Sequence, residues 1–271
     1  MPAVALTDTG NMMAAFHFEK HITAFNKGVQ KEREEAEKEG KPYNQKEITP
    51  IIGCEFNICE DHLNKTVKDN GFQVVLLAKN KKGYHNIAKM SSIAFTEGKY
   101  YVPRIDKNIV EKYKENIIVL SGNMYGEIPS KILNVGEKQA EEAVIWWKEQ
   151  FADDFYLELM RHDQEDERRV NEVLLRFAKT HDVKLVATNN TFYLNKKDAS
   201  VHDILLCIKD GEMVETPKGR GRGFRYGLPN DNYYFKSPDE MKELFADLPQ
   251  AIENTMEIAN KCEKYTLASD I

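Results

Sequence analysis

One local pattern, repeated, limits what this chain can fold into. Pro2-Ala-Val-Ala-Leu-Thr-Asp8 is a short apolar run with a β-branched centre that ends in an acid, and Thr9-Gly10-Asn11 follows as a turn. From Met12 to Phe25 the apolar residues then take helical spacing. The same strand, turn and helix sequence returns at residues 48–56, 73–78, 117–121, 155–160 and 184–188, which makes six strands. Strands alternating with helices predict right-handed βαβ units in a parallel sheet or barrel. With 271 residues, either one such barrel or two small domains is within reach.

Local signals place the other elements. Lys31 to Glu39 is a charge run that reads as a solvated helix face, closed by Gly40 and Pro42. Ala140, Ala143, Val144, Trp147 and Phe151 form an amphipathic stripe flanked by Trp146. Residues 198–209 read as a helix with Gly211 as its stop. The character then changes. Residues 217–226 form a basic, glycine-rich loop carrying Lys218, Arg220, Arg222 and Arg225 with Phe224 and Tyr226. Ser237-Pro238-Asp239-Glu240 is a helix start with a capping box, and Pro249 opens a last helix. The expected division is therefore a barrel over residues 1–210 and an extension over 211–271.

The net charge of −6 excludes a chain that wraps nucleic acid over its whole surface, while leaving room for a local basic patch. Four cysteines without a CxxC pair fit free thiols in a cytoplasmic protein, with Cys54 and Cys59 as core residues. No apolar run approaches the ~18 residues that span a bilayer.

Polar residues fall at or just after several strand ends: Asp8, Glu55, Glu158, His162 and Asn190. A barrel would bring them to one rim, where a ring of acids and histidines suits divalent metals and phosphoester hydrolysis. This ring holds one histidine and no His-x-His pair. Each acid also has a plain reading as a turn former or helix cap. The arginines of the basic loop can track a phosphate backbone or dock on a neighbouring domain.

The ordered set Ala5-Leu-Thr-Asp8-Thr-Gly10-Asn11, Pro50-Ile-Ile-Gly-Cys-Glu55, Leu77-Ala-Lys-Asn80, Gly83-Tyr-His-Asn86, Leu120-Ser-Gly122, Tyr156-Leu-Glu158 and Ala187-Thr-Asn189 resembles one family. It is similar to the polymerase-and-histidinol-phosphatase (PHP) domain of the bacterial DNA polymerase III alpha subunit. Phe235-Lys-Ser, Glu243-Leu-Phe-Ala-Asp247 and Ala251-Ile-Glu-Asn254 resemble the segment that closes that domain.

The resemblance implies a distorted TIM-like (βα) barrel whose first strand carries His-x-His-Ser. That unit is missing before Pro2, so an N-terminally truncated barrel with a C-terminal helical extension is expected. It implies a metal site of which only Asp8, Glu55 and His162 persist. The family's Thr-Asp-His-Gly is Thr7-Asp8-Thr9-Gly10 here, its Asn-Asp-x-His is Asn189-Asn190-Thr191-Phe192, and its histidine before the third strand falls near Phe72 or Gln73.

The expected role is a non-catalytic structural and docking domain, with no cofactor of its own. The implied partners are the remaining polymerase domains, the proofreading exonuclease subunit and primer-template DNA. Polymerase activity and its magnesium belong to the palm domain of the parent. The alternative is a metal-dependent phosphoesterase or 3'-5' exonuclease on the same barrel. With the metal lost, Phe192 is expected to fill its space, and a lysine, arginine or water to stand beside Asp8 and Glu55.

Overall fold

The computed structural model describes residues 1–219 and 221–267. Its elements run β1 (Ala3–Leu6), α1 (Ala15–Lys38), β2 (Thr49–Cys59), β3 (Phe72–Ala78), α2 (Lys81–Thr96), β4 (Arg104–Asp106), α3 (Lys107–Tyr113), β5 (Ile117–Leu120), α4 (Glu127–Asn134), α5 (Glu137–Phe151), β6 (Phe155–Leu159), α6 (Glu165–His181), β7 (Lys184–Ala187), α7 (Ala199–Asp210), α8 (Pro238–Leu244) and α9 (Pro249–Lys261). Seven strands, rather than six, form one curled half-barrel sheet in the order β1-β2-β3-β5-β6-β7, with β4 beside β2. β1 lies parallel to β2, as expected, with Ala3 opposite Thr49 and Leu6 opposite Ile52.

The sheet is mixed rather than parallel. β3 runs antiparallel to both β2 and β5. The segment between β2 and β3 contains no helix, so the chain returns directly and reverses its direction. β4 is the strand the apolar pattern does not show. It is three residues long and two of them are charged. It borrows the far end of the eleven-residue β2, pairing Asn57 with Arg104 and Cys59 with Asp106.

Residue parity assigns the two faces. Cys54, Phe56, Val74, Leu76, Val119, Phe155 and Leu157 point outward into the main core, where Trp147 and Phe151 of α5 and Val170, Leu174 and Phe177 of α6 cover them. Trp146 flanks the stripe as expected. The other parity gives an inner layer of Ile51, Val75, Leu77, Ile118, Leu120, Tyr156 and Val186. α9 lies on that layer through Ile258, joined by Cys262 just past its end. The Tyr156 hydroxyl donates to Glu257 (2.5 Å) and Lys184 pairs with the same carboxylate (2.7 Å). All four cysteines are buried free thiols.

The capping signals hold in three dimensions. The Ser237 hydroxyl accepts from the Glu240 backbone N–H (3.2 Å), while the Glu240 carboxylate accepts from the Ser237 N–H (2.7 Å). Gly211 ends α7 in the left-handed region at φ 70°. No helix among the described residues is long and apolar enough to cross a membrane.

Candidate functional site

One step along the strands from the apolar inner layer, the same face turns polar. Glu55 of β2 and Glu158 of β6 both sit there. The Glu55 carboxylate accepts from the Thr9 hydroxyl (2.7 Å) and from the Asn123 amide (3.0 Å). Asn123 also donates to the Gln73 side chain (2.9 Å). The Glu158 carboxylate accepts from the Gly122 N–H (3.0 Å) and from the Thr188 hydroxyl (2.6 Å). Gly122 has φ 86°, and a Cβ there would stand 2.2 Å from the Gln73 carbonyl oxygen. Only glycine lets that turn aim its N–H at Glu158.

Both acids are thus held by neutral donors, and among the described residues no lysine or arginine pairs with Glu55. Where a lysine, an arginine or water was expected, a hydroxyl and an amide stand beside Glu55. Burial drives the Glu55 carboxyl above its ordinary value, against the Thr9 bond. Glu158 is driven further, to about 7, by burial first and then by the charge of Glu55, against its bonds to Thr188 and Gly122.

His162 is fully engaged elsewhere. It follows β6, is buried, and its Nδ1 bonds Glu167 (2.7 Å), whose other oxygen accepts from the His162 backbone N–H (2.6 Å). The Asn190 N–H donates to Nε2 at 3.3 Å. That bond fixes the proton on Nδ1 and occupies the lone pair a metal would use. Tyr233 stacks flat on the imidazole, with centroids 4.3 Å apart and planes at 5°. Phe192, expected in that space, is half-exposed and lies against His202 and Tyr233 instead. Asp8 meets Glu55 through its backbone carbonyl, which accepts from the Glu55 N–H (3.1 Å).

The persisting family positions therefore do not assemble. Asp8, Glu55 and His162 form no group whose ligand atoms lie within 4.8 Å of one another among the described residues. A two- or three-metal hydrolytic site needs several ligands converging on one point and an open position. Asp8, Glu55 and His162 do not converge in this way.

The one such group among the described residues is Asp61, His62 and Asp106, which the sequence reading misses. The His62 ring bonds Asp106 at 2.5 Å, and the other Asp106 oxygen accepts from Ile109 N–H as the cap of α3 (3.1 Å). Beside it the fully buried Arg104 donates to the carbonyls of Gly98, Asp69 and Asn64. This cluster pins the 60–71 loop. The legible signal was Asp106 at a helix start; Arg104 inside a strand gives none.

The basic loop is partly structural. Arg225, expected to face outward, is buried against Asp203 through two bonds (2.9 and 2.8 Å) and also donates to the Thr216 and Val214 carbonyls. Lys218 pairs with the same aspartate at 3.0 Å. Arg225 first, then Lys218, hold the Asp203 carboxyl down at about 2, against its burial. Arg222 is exposed. Arg220 lies outside the described residues.

A curled half-barrel whose inner face turns polar toward one rim defines a barrel of the PHP class, here with its rim acids satisfied internally. The chain belongs to the PHP domain family: the PHP domain model matches residues 1–162. Beyond that match the similarity continues. DNA polymerase III subunit alpha of Borreliella burgdorferi is 38% identical over 98% of this chain, covering 21% of that protein. The Campylobacter jejuni subunit is 35% identical over 96% of the chain and 20% of its own length, and the Treponema pallidum subunit 33% over 96% and 20%. The chain spans about one fifth of the length of these relatives.

Proposed function

We propose that this chain is the non-catalytic PHP module of a DNA polymerase III alpha subunit, acting in the cytoplasm in DNA replication. It supports the polymerase domains, docks the proofreading exonuclease subunit, and needs no metal or other cofactor of its own. DNA-directed polymerisation and its magnesium belong to the rest of that subunit. The observation that carries the reading is the inner polar layer. Each oxygen of Glu55 and Glu158 accepts a bond from a hydroxyl, amide or N–H, and both nitrogens of the His162 ring are engaged, by Glu167 and Asn190. A metal at this layer would have to compete with those bonds for its ligands. Contact with primer-template DNA falls to Arg222 and Arg220 rather than to the buried Arg225.

Elemental analysis after purification without chelator tests this, together with phosphatase and 3'-5' exonuclease assays. Sub-stoichiometric zinc, manganese and iron with no turnover is expected. Stoichiometric metal with activity abolished by Asp8→Ala and Glu55→Ala would establish the phosphoesterase alternative instead.

A further inference from the structure

α7 is amphipathic the wrong way round. Val201, Ile204, Leu205 and Ile208 stand at i, i+3, i+4 and i+7, which makes one apolar stripe. That stripe faces out: the four residues are 58%, 46%, 57% and 71% exposed. The inward side carries Asp203, held by Arg225 and Lys218, and the buried Cys207. His202 lies against the rings of Phe192 and Tyr193. The orientation is therefore locked by ion pairs and cannot relax by turning the helix over. Leu194 before the helix and Met213 after it are also exposed apolar residues. An outward apolar stripe of this kind on a chain with 30% charged residues marks a covered surface.

We propose that the outward stripe of α7 is the seat of a neighbouring domain of the same alpha-subunit polypeptide. This rests on the module reading above. Two observations select the occupant. α7 lies beyond residue 162, where the PHP match ends, and inside the stretch over which the polymerase relatives align, so it belongs to the part this chain shares with polymerase subunits. About four fifths of each relative lies outside the aligned region, which supplies covalently linked protein to cover it. An interface formed once and kept is also the kind that tolerates an uncharged core, while transient partners meet through more polar surfaces.

The test compares amide hydrogen exchange of α7 in two settings. One is this chain alone. The other is the B. burgdorferi alpha subunit with its aligned segment replaced by this chain. Exchange across residues 201–208 is expected to slow by about tenfold or more in the chimera. Ile204→Asp with Leu205→Asp should restore fast exchange there and leave the sheet amides unchanged. Equal exchange in both settings overturns the proposal. So does a dimer of the isolated chain that the same pair of substitutions dissociates, since the occupant is then a second copy. Primer extension by the chimera reports separately on the module reading: its loss, with α7 protected, counts against that reading and not against the seat. If the chimera does not fold, hydroxyl-radical footprinting of the aligned helix in the unmodified B. burgdorferi subunit decides, and modified side chains there overturn the proposal.

Discussion

Glu127 and Glu158 are both buried, and the protein treats them in opposite ways. Glu127 opens α4 on the outer side of the sheet. Its carboxylate receives Lys107 (2.9 Å), Lys131 (2.7 Å) and the Trp147 indole N–H (2.9 Å). Burial alone would raise it, but the two lysines outweigh burial and hold it below the ordinary glutamate value. Glu158 lies on the inner face with only neutral donors and a second acid nearby, and it sits at about 7. Charges on the outer face are compensated and contribute to stability. The inner face keeps two acids held by hydroxyl, amide and N–H donors instead. A buried carboxylate held without a cation costs stability.

The largest effect should come from breaking the compensated side. Glu127→Ala leaves the Trp147 N–H and two lysines without their acceptor. A loss of about 3–4 kcal/mol is expected in urea unfolding at pH 7, near the lower end for a broken buried pair because both lysines keep some access to water. The pH dependence follows from the lowered value. The stabilisation is present above about 4.5, the unfolded glutamate value, and is lost as pH falls through the lower folded value. A variant within about 0.5 kcal/mol of wild type would remove the contrast between the faces.

Glu158→Gln should move stability the other way. The folded value of about 7 lies above the unfolded 4.5, so the folded state binds the extra proton between them. Stability from this group is greatest at low pH, declines as pH rises from about 4.5 to about 7, and is flat above. Up to about 3 kcal/mol separates the two ends. An amide can accept from Gly122 and donate to Thr188, so the variant keeps both bonds and loses the slope. Unfolding curves at pH 5 and pH 8 check this, with a gain of about 2 kcal/mol over wild type expected at pH 8 only. A wild type whose stability rises between pH 5 and 8 at this site would sink the assignment.

How much of this contrast can be read from sequence depends on how local each signal is. β1, β2, β5, β6 and β7 announce themselves as apolar runs, and the caps at Ser237 and Gly211 are written in adjacent residues. β4 is hidden because Arg104-Ile105-Asp106 has no apolar run, and its pairing with the end of β2 is forty-seven residues away in sequence. β3 is equally plain as the apolar run at 73–78, and its antiparallel direction was legible in principle, since no helix separates it from β2. At the site, Glu55 and Glu158 stand out as acids inside strands. Their state does not, because it is set by Asn123, Thr188 and the N–H of Gly122, which arrive from other strand ends. His162 reads as a ligand until Glu167, in the acidic first turn of α6, is seen to hold its ring.

The basic loop extends the compensated class to a cation. Arg225→Ala should lower the melting temperature and open residues 214–228 to proteolysis, because Asp203 and the Thr216 and Val214 carbonyls lose their donor. Arg222→Ala should change stability by about 0.5 kcal/mol or less, as an exposed residue does. Any effect it has on primer-template affinity in the full alpha subunit, together with a smaller salt slope, then reports contact and not folding. Equal destabilisation by both would mean that the loop is not divided in this way.

The smallest effect sharpens the inner face itself. The charge of Glu55 helps to raise Glu158, so removing either acid should relieve the other. A cycle of Glu55→Gln, Glu158→Gln and the double variant isolates that repulsion from the burial cost each acid bears alone. At pH 8, where Glu158 is charged, the double variant should gain less than the sum of the singles, with a coupling of about 0.5 kcal/mol. At pH 5 Glu158 is protonated and the coupling should disappear, since one neutral partner leaves no repulsion to remove. The sign matters more than the size. A gain greater than additive would mean that the two side chains support each other through the Asn123 and Gly122 turn. A coupling that persists at pH 5 would place its origin in that shared turn instead of in charge. Either result would show that the polar layer is a structural network in its own right.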